Sequence, residues 1–373
     1  MKRILHISKY YPPQMGGIED VCYNIVSYLS TINEVEQKVI CFNTISKTVY
    51  EKYQGVEIIR VASDMKILSQ PLSIKYKKEL ENLLQNFRPD IVHFHAPNPF
   101  VCLFLNMLLS RETTLIIHWH SDIVAQKNVY KIIKPIETGI LKRADTIIAT
   151  SPNYILYSEP LLKFKNKIHI IPNTIDISKF EYSDDIKLKV REIKERYMNK
   201  PIVFFIGRHV PYKGLKYLLE AIPFISVDCE FIIGGDGPLT DKLKKMISLD
   251  NLHFIGRIPD DLLAAYYYAA DIFVFPSITK NEAFGVVLAE AMYCYTPSIT
   301  FTIKGSGVNW VNLANVTGLE VENSNSYEFS QAIDKLLKDN SLRSVYALNA
   351  RKRVEELFVF EDIKSDLRKL YSL

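Results

Sequence analysis

Asn281-Glu282-Ala283-Phe284-Gly285-Val286-Val287-Leu288-Ala289-Glu290 follows Asp271-Ile272-Phe273-Val274-Phe275-Pro276-Ser277, and the change of pattern between them sets the architecture. The earlier run is short, apolar and bounded by polar or turn residues, which reads as a buried strand. From Gly285 the spacing turns helical, with Val286, Val287, Leu288, Ala289, Ala291 and Met292 on a broad apolar face. Glu282 then falls in a strand-to-helix loop, and Glu290 about two turns along the helix. A helix start attracts anions, and carboxylates set around it suit hydroxyl groups. Together they predict a site for a phosphorylated polyol such as a nucleotide sugar. The competing reading is a loop carboxylate beside a solvated helix glutamate.

The same alternation runs along the rest of the chain. Strands are expected at 4–8, 38–43, 56–61, 90–95, 115–120, 146–150 and 168–172, with helices at 18–30, 73–86, 100–109 and 129–143. A polar stretch at 176–200 interrupts the pattern and includes a charged helix at 186–198. Strands resume at 201–206, 230–233, 252–255, 272–275 and 298–301, and the tail from Ser326 is helical throughout. Strand alternating with helix is the signature of a parallel sheet covered on both faces. Two such α/β units joined near the middle are expected, with a cleft between them where ligands meet the carboxyl ends of the strands. The final helix, 362–373, places Ile363, Leu367, Leu370 and Tyr371 on one side.

Composition bounds the function. A chain of 373 residues exceeds what one core usually supports. At 48% hydrophobic and 24% charged residues, with a net charge of +4, it is ordinary for a globular protein. No segment approaches the ~20 apolar residues of a membrane helix. The apolar run after Met1 is too short for a signal peptide and reads as a first strand. Five scattered cysteines, Cys22, Cys41, Cys102, Cys229 and Cys294, read as buried thiols in a reducing cytoplasm. Neither a basic tail nor aromatic-interleaved basic repeats favour nucleic acid. Positive charge clusters at Lys75, Lys77 and Lys78, at Lys127, Lys131, Lys134, Lys142 and Arg143, and at Lys163, Lys165 and Lys167. The middle cluster is interleaved with Ile132, Ile133, Ile136, Ile140 and Leu141. An amphipathic helix packed on a sheet is the preferred reading, ahead of a helix lying on an anionic membrane.

Several loops fall on the expected ligand rim. Tyr11-Pro12-Pro13-Gln14-Met15-Gly16-Gly17 joins the first strand to the first helix, and paired glycines there allow positive φ and close approach of an anion. Gly207-Arg208-His209-Val210-Pro211-Tyr212-Lys213-Gly214 closes a strand, with Arg208 and Lys213 suited to a diphosphate rather than being two solvated cations. Gly234-Gly235-Asp236-Gly237-Pro238 suggests either ligand approach to the backbone or a tight turn. Gly256-Arg257-Ile258 could offer main-chain contacts to a base. His118, His120, His93 and His95 alternate on neighbouring strands, so a metal site is considered. Without a carboxylate-rich partner, a cysteine pair or an Asp-x-Asp, hydrogen-bonded or substrate-binding histidines are preferred.

In order and spacing these motifs resemble the retaining glycosyltransferases of the GT-B fold, glycosyltransferase family 4. The resemblance runs from Pro12-Pro13 and Gly16-Gly17 through His120-Ser121-Asp122 and Ile171-Pro172-Asn173-Thr174-Ile175-Asp176. It continues through Arg208, Lys213 and Gly234 to Pro238, and ends at Glu282, Phe284-Gly285 and Glu290. Thr174 departs from the glycine usual there, which affects a linker turn. The resemblance implies two facing Rossmann-like domains, at 1–183 and 184–358, and a helix at 359–373 that crosses back to the first. It also implies a UDP-, GDP- or other NDP-sugar as donor, with no cofactor and no metal. Arg208 and Lys213 would neutralise the departing diphosphate. Glu282 would bind the donor sugar and Glu290 the ribose. Amides near Gly16, Gly17, Gly237, Phe284 and Gly285, with Arg257 and Ile258, would complete the donor site, and His120 would lie on the acceptor side. No nucleophile stands out, so same-face internal return is expected. The implied role is transfer of a hexose to a saccharide or lipid-linked acceptor for bacterial surface polysaccharide, in the cytoplasm or peripherally on the inner membrane. The alternatives are a sugar-nucleotide epimerase, for which no acid/base pair is found, and a non-catalytic nucleotide-binding protein.

Overall fold

The computed structural model describes residues 1–14, 16–63, 65–67, 70–123 and 127–373, so Met15 of the first glycine loop and the side chain of Lys127 lie outside the described residues. The chain divides into two compact units. The first comprises Met1–Thr150, Ile155–Ile171 and Ser365–Leu373, and the second comprises Ser151–Tyr154 and Pro172–Lys364.

In the first unit the elements are β1 (Lys2–Ile7), α1 (Gly17–Leu29), β2 (Val35–Phe42), β3 (Val49–Tyr53), β4 (Val56–Val61), the antiparallel pair β5 (Met65–Ile67) and β6 (Gln70–Leu72), α2 (Ile74–Asn86), β7 (Ile91–Ala96), α3 (Pro99–Leu108), β8 (Thr114–Trp119), α4 (Lys127–Arg143), β9 (Thr146–Ala149), the second half of α5 (Pro152–Tyr157) and β10 (Ile168–Ile170). Eight strands form one sheet in the order β10-β9-β8-β7-β1-β2-β4-β3. All pairings are parallel except β3 with β4. β7 is buried at every position, as expected of a central parallel strand covered on both faces. The antiparallel edge strand β3 and the β5–β6 pair were not anticipated. Val49-Tyr50-Glu51-Lys52-Tyr53 is largely exposed and polar, so it lacks the apolar signature of its neighbours.

The second unit contains α6 (Asp184–Arg196), β11 (Ile202–Ile206), α7 (Leu215–Ala221), β12 (Glu230–Gly234), α8 (Thr240–Lys244), β13 (Leu252–Gly256), α9 (Asp260–Ala269), β14 (Ile272–Phe275), α10 (Val286–Tyr293), β15 (Ser298–Phe301), α11 (Val308–Val311), β16 (Gly318–Val321), α12 (Ser326–Lys338), α13 (Asn340–Leu357) and the start of α14 (Phe360–Tyr371). Six strands form a fully parallel sheet in the order β13-β12-β11-β14-β15-β16. β16, four residues long with only Leu319 and Val321 as large apolar residues, is a strand the pattern did not disclose.

The expected boundary at 183/184 moves to Pro172. Residues 172–183 join the second unit because Ile175 bridges Val359 and its N–H donates to the Phe358 carbonyl at 2.9 Å. Phe180 belongs to that unit's core, and Tyr268 donates to its carbonyl at 2.8 Å. At the other end α14 begins in the second unit and ends in the first. There Leu367 and Tyr371 are buried, and the Lys2 ammonium donates to the Tyr371 carbonyl at 3.0 Å. All five cysteines are buried free thiols.

Candidate active site

The second unit's site is built on the carboxyl ends of β11 and β14. The loop after β11 carries Arg208, which is exposed, and Lys213, which is 8% exposed. Gly214 takes φ +65°, and a Cβ there would sit 1.9 Å from the Pro276 carbonyl oxygen. Only glycine lets this loop lie so tightly against the end of β14. That approach aims the Lys213 ammonium at Glu282, with which it forms an ion pair, and over the Phe275 ring at 4.7 Å. Lys213 is therefore a held charge, not a solvated one. Ser277 donates to the Glu282 carboxylate at 3.4 Å, and the Ser306 hydroxyl hydrogen-bonds the Glu282 carbonyl.

Gly285 caps α10 with φ +91°, so the helix begins at Val286. Glu290 is consequently its fifth residue, little more than one turn in, rather than two turns along. Its carboxylate accepts from the Tyr267 hydroxyl at 2.8 Å, which fixes its orientation and excludes the reading of a freely solvated helix glutamate. Tyr267 was not anticipated; the run Tyr266-Tyr267-Tyr268 was its only trace in the sequence. Phe284 is 2% exposed and packs edge-on against Phe358 and Trp310, so its ring is core and only its main chain is left to meet a ligand.

The glycine loop 234–238 is explained internally. Cβ atoms at Gly235 and Gly237 would lie 2.0 Å from the Gly207 carbonyl oxygen and 2.6 Å from that of His209. The Gly237 N–H is taken by Asp236 Oδ1 at 2.7 Å. Those glycines let two loops zip together, so the tight-turn reading prevails over ligand approach. Arg257 is exposed, and Ile258 lies against Gly234.

In the first unit, Gly16 is extended at φ −169° and Gly17 is the first helical residue, so the expected positive φ is absent from both. The loop is instead held by Arg60, an unforeseen residue 6% exposed, whose guanidinium donates to the Tyr11 carbonyl at 2.9 Å and to that of Pro12. The Gly16 carbonyl starts α1 by accepting from the Asp20 N–H at 2.9 Å.

His120 follows β8 and is 4% exposed. It ends a ladder of buried imidazoles. Register pairs His6 with His93 and His95 with His118. Rings stack at centroid distances of 4.4 Å for His93–His95, 5.3 Å for His95–His118 and 4.1 Å for His118–His120. His95 Nδ1 meets His120 Nε2 at 3.1 Å, and His93 Nδ1 meets the Tyr371 hydroxyl at 2.5 Å. Burial lowers the His6 and His120 pKa values to about 3 and holds the other three well below the usual imidazole range. Of the preferred reading, hydrogen-bonded or substrate-binding histidines, hydrogen bonds to protein groups satisfy only part of these rings. His93 Nε2, His95 Nε2, His120 Nδ1 and both nitrogens of His118 are buried without a protein partner. His6 was overlooked because it is the only histidine on its strand.

On α4, Ile133, Ile140 and Leu141 are buried while Ile132 is 73% exposed, the one-sided burial of an amphipathic helix. Among the described residues no helix is long and apolar enough to cross a membrane.

Two family profiles match the chain in succession. Glycosyltransferase Family 4 matches residues 15–179, and Glycosyl transferases group 1 matches residues 187–353. O-antigen chain mannosyltransferase C of Escherichia coli is 28% identical, covering 99% of this chain and 98% of its own length. D-rhamnosyltransferase WbpZ of Pseudomonas aeruginosa is 29% identical, covering 95% and 92%. Among solved structures, Anabaena HepE in complex with UDP and glucose superposes with a TM-score of 0.80 at 16% identity, covering 100% of both chains, a likeness of fold.

Proposed function

Because this chain belongs to the GT-B glycosyltransferases of family 4, we propose that it moves a hexose from a nucleoside diphosphate sugar to a saccharide or lipid-linked saccharide acceptor, with retention, in bacterial surface polysaccharide synthesis. The observation that carries the proposal is the Lys213–Glu282 ion pair beside exposed Arg208, with Glu290 oriented by Tyr267 on the adjoining helix. The relatives named for O-antigen mannosyl and D-rhamnosyl transfer support the pathway class, and the neighbour with UDP and glucose supports the donor class.

In this reading the diphosphate draws Lys213 from Glu282 and meets Arg208. Cationic charge stands where negative charge develops on the leaving group, in the role a metal plays elsewhere. Glu282, released from the lysine, accepts hydroxyls of the donor sugar. Glu290 accepts the ribose hydroxyls, and the start of α10 at Gly285 faces phosphate or sugar oxygens. Arg257, Ile258 and the main chain at Phe284 complete the second unit's part, while Gly237, its N–H already taken by Asp236, serves the turn. The first unit binds the acceptor, with His120 on that side, and the amides near Gly16 and Gly17 are assigned to phosphate or sugar oxygens of the donor. The proposal includes a cytoplasmic location with peripheral contact to the inner membrane, supported by exposed Ile132 among Lys131 and Lys134.

The test is a panel of UDP- and GDP-sugars, with and without lipid-linked acceptor, followed by the anomeric configuration of the product. Acceptor-dependent donor consumption with retained configuration is expected. An inverted product, or no transfer from any donor that stabilises the protein thermally, would overturn the reading.

A further inference from the structure

The histidine ladder of the first unit holds more donor atoms than its fold can use. His93 and His95 alternate along β7 and so share one face of the sheet, and His118 is in register with His95 on β8. One ring nitrogen from each of His93, His95 and His118 lies within 4.8 Å of the others, and all three residues are buried. A buried polar atom left unpaired gives up its hydrogen bonds to water and gains nothing in return. Several such atoms gathered in one place call for a common partner.

The hydrogen bonds that do exist are selective. His93 and His95 each engage Nδ1, with the Tyr371 hydroxyl at 2.5 Å and His120 Nε2 at 3.1 Å, and each leaves Nε2 unpartnered. This is the arrangement of metal-binding imidazoles, in which the far ring N–H is held by an outer partner and the near nitrogen keeps its lone pair. Both contacts suit it when Nδ1–H donates, to the tyrosine oxygen in one case and to the neighbouring imidazole in the other.

We propose that His93, His95 and His118 form a buried three-nitrogen site for a borderline divalent transition-metal ion of the zinc class. Imidazole nitrogens without carboxylates select such ions over magnesium or calcium. Zinc–nitrogen bonds of about 2.0–2.1 Å bring ligand nitrogens to within about 3.4 Å of each other. The rings now lie within 27° of parallel, so ligation requires them to turn until their lone pairs converge, and three protein ligands leave a fourth position for water or an anion. Cys22 with His6 and His95 forms a second close group on the same ladder, so His95 belongs to both. The site is separate from the diphosphate-binding cations assigned above, and it stands whether or not that assignment does.

The experiment uses the full-length protein, stripped with EDTA and reloaded separately with Zn²⁺ and Co²⁺. About one ion should be retained per chain after desalting. Co²⁺ should give the intense visible d–d absorption of four-coordinate cobalt, and Zn²⁺ should raise the Tm. His95→Gln should lose the ion. His253→Ala, which removes the half-exposed imidazole paired with Glu230 at 2.7 Å, should retain it. Absence of the cobalt bands and of any zinc-dependent Tm shift in the wild-type chain overturns the proposal, even where His95→Gln fails to fold. So does an ion that survives His95→Gln or departs with His253→Ala.

Discussion

Lys213 and Glu282, on the loops that follow β11 and β14, form an ion pair whose side chains are 10% and 13% exposed. The pair is poised. It neutralises a lysine that folding has taken from water, yet either partner can be drawn to a ligand carrying the opposite charge or hydroxyls. Removing one partner of a well-shielded pair strands the other, whereas removing both together costs little. Glu282→Gln and Lys213→Met should each lose about 3 kcal/mol of stability by urea denaturation, at the low end for shielded pairs. The double variant should recover most of it while remaining inactive. An active double variant would remove the pair from the mechanism.

Lys213→Ala should lower turnover by orders of magnitude, with no rescue by magnesium or manganese, because the lysine is assigned to the departing diphosphate. Activity lost in EDTA and restored by either ion would contradict that assignment.

Glu290→Ala should chiefly raise the donor KM, while Glu282→Ala should chiefly lower kcat, since only Glu282 is assigned to the sugar being moved. Tyr267→Phe removes the 2.8 Å hydrogen bond that orients Glu290. Its donor KM should rise by about three- to tenfold, from roughly 1 kcal/mol of lost orientation. Unchanged kinetics in all three variants would unseat the site.

Tyr371 anchors the chain's last helix. Its hydroxyl meets His93, and Ile363 and Leu367 are buried along the same helix. Tyr371→Phe should destabilise by about 1–2 kcal/mol, and deletion from Asp362 onward should lower the Tm further and reduce activity. A deletion variant as stable and active as the full chain would show that the helix is dispensable.

Glu137 on α4 is 2% exposed, and burial pushes its carboxyl up to about 7 from 4.5 despite a hydrogen bond from the Tyr130 hydroxyl. Between those values the folded chain keeps a proton that the unfolded chain releases, so this group's contribution to stability falls as pH rises. Glu137→Gln should therefore be more stable than the wild type at pH 8 by about 1–3 kcal/mol, with the gap closing by about pH 4. Chemical denaturation at both pH values measures it, and a gap independent of pH would refute the assignment.

Much of this was legible locally. The runs at 202–206, 230–233 and 272–275 fall within strands because an apolar run between polar turns has one good fate in a covered parallel sheet. Helix faces such as Ile363, Leu367 and Tyr371 were readable from a spacing of 3.6. The loop motifs of the site were visible because glycines and charges at strand ends stand out within a few residues.

What the chain's order alone determined, then, is the alternation of elements and the placement of candidate charges at strand ends, since periodicity and turn chemistry act over a few residues. Only the tertiary structure decided which groups meet. Lys213 reaches Glu282 because β11 and β14 are neighbours in the sheet and Gly214 permits the approach. Arg60 holds the loop at Tyr11 and Pro12, and residues 172–183 join the second unit through Ile175 and Val359. The histidine ladder arises from the register of three strands, with Tyr371 arriving from the far end of the chain. Those contacts join residues distant in sequence, and the energy that selects them is the burial of whole sheets and helices, which no short stretch records.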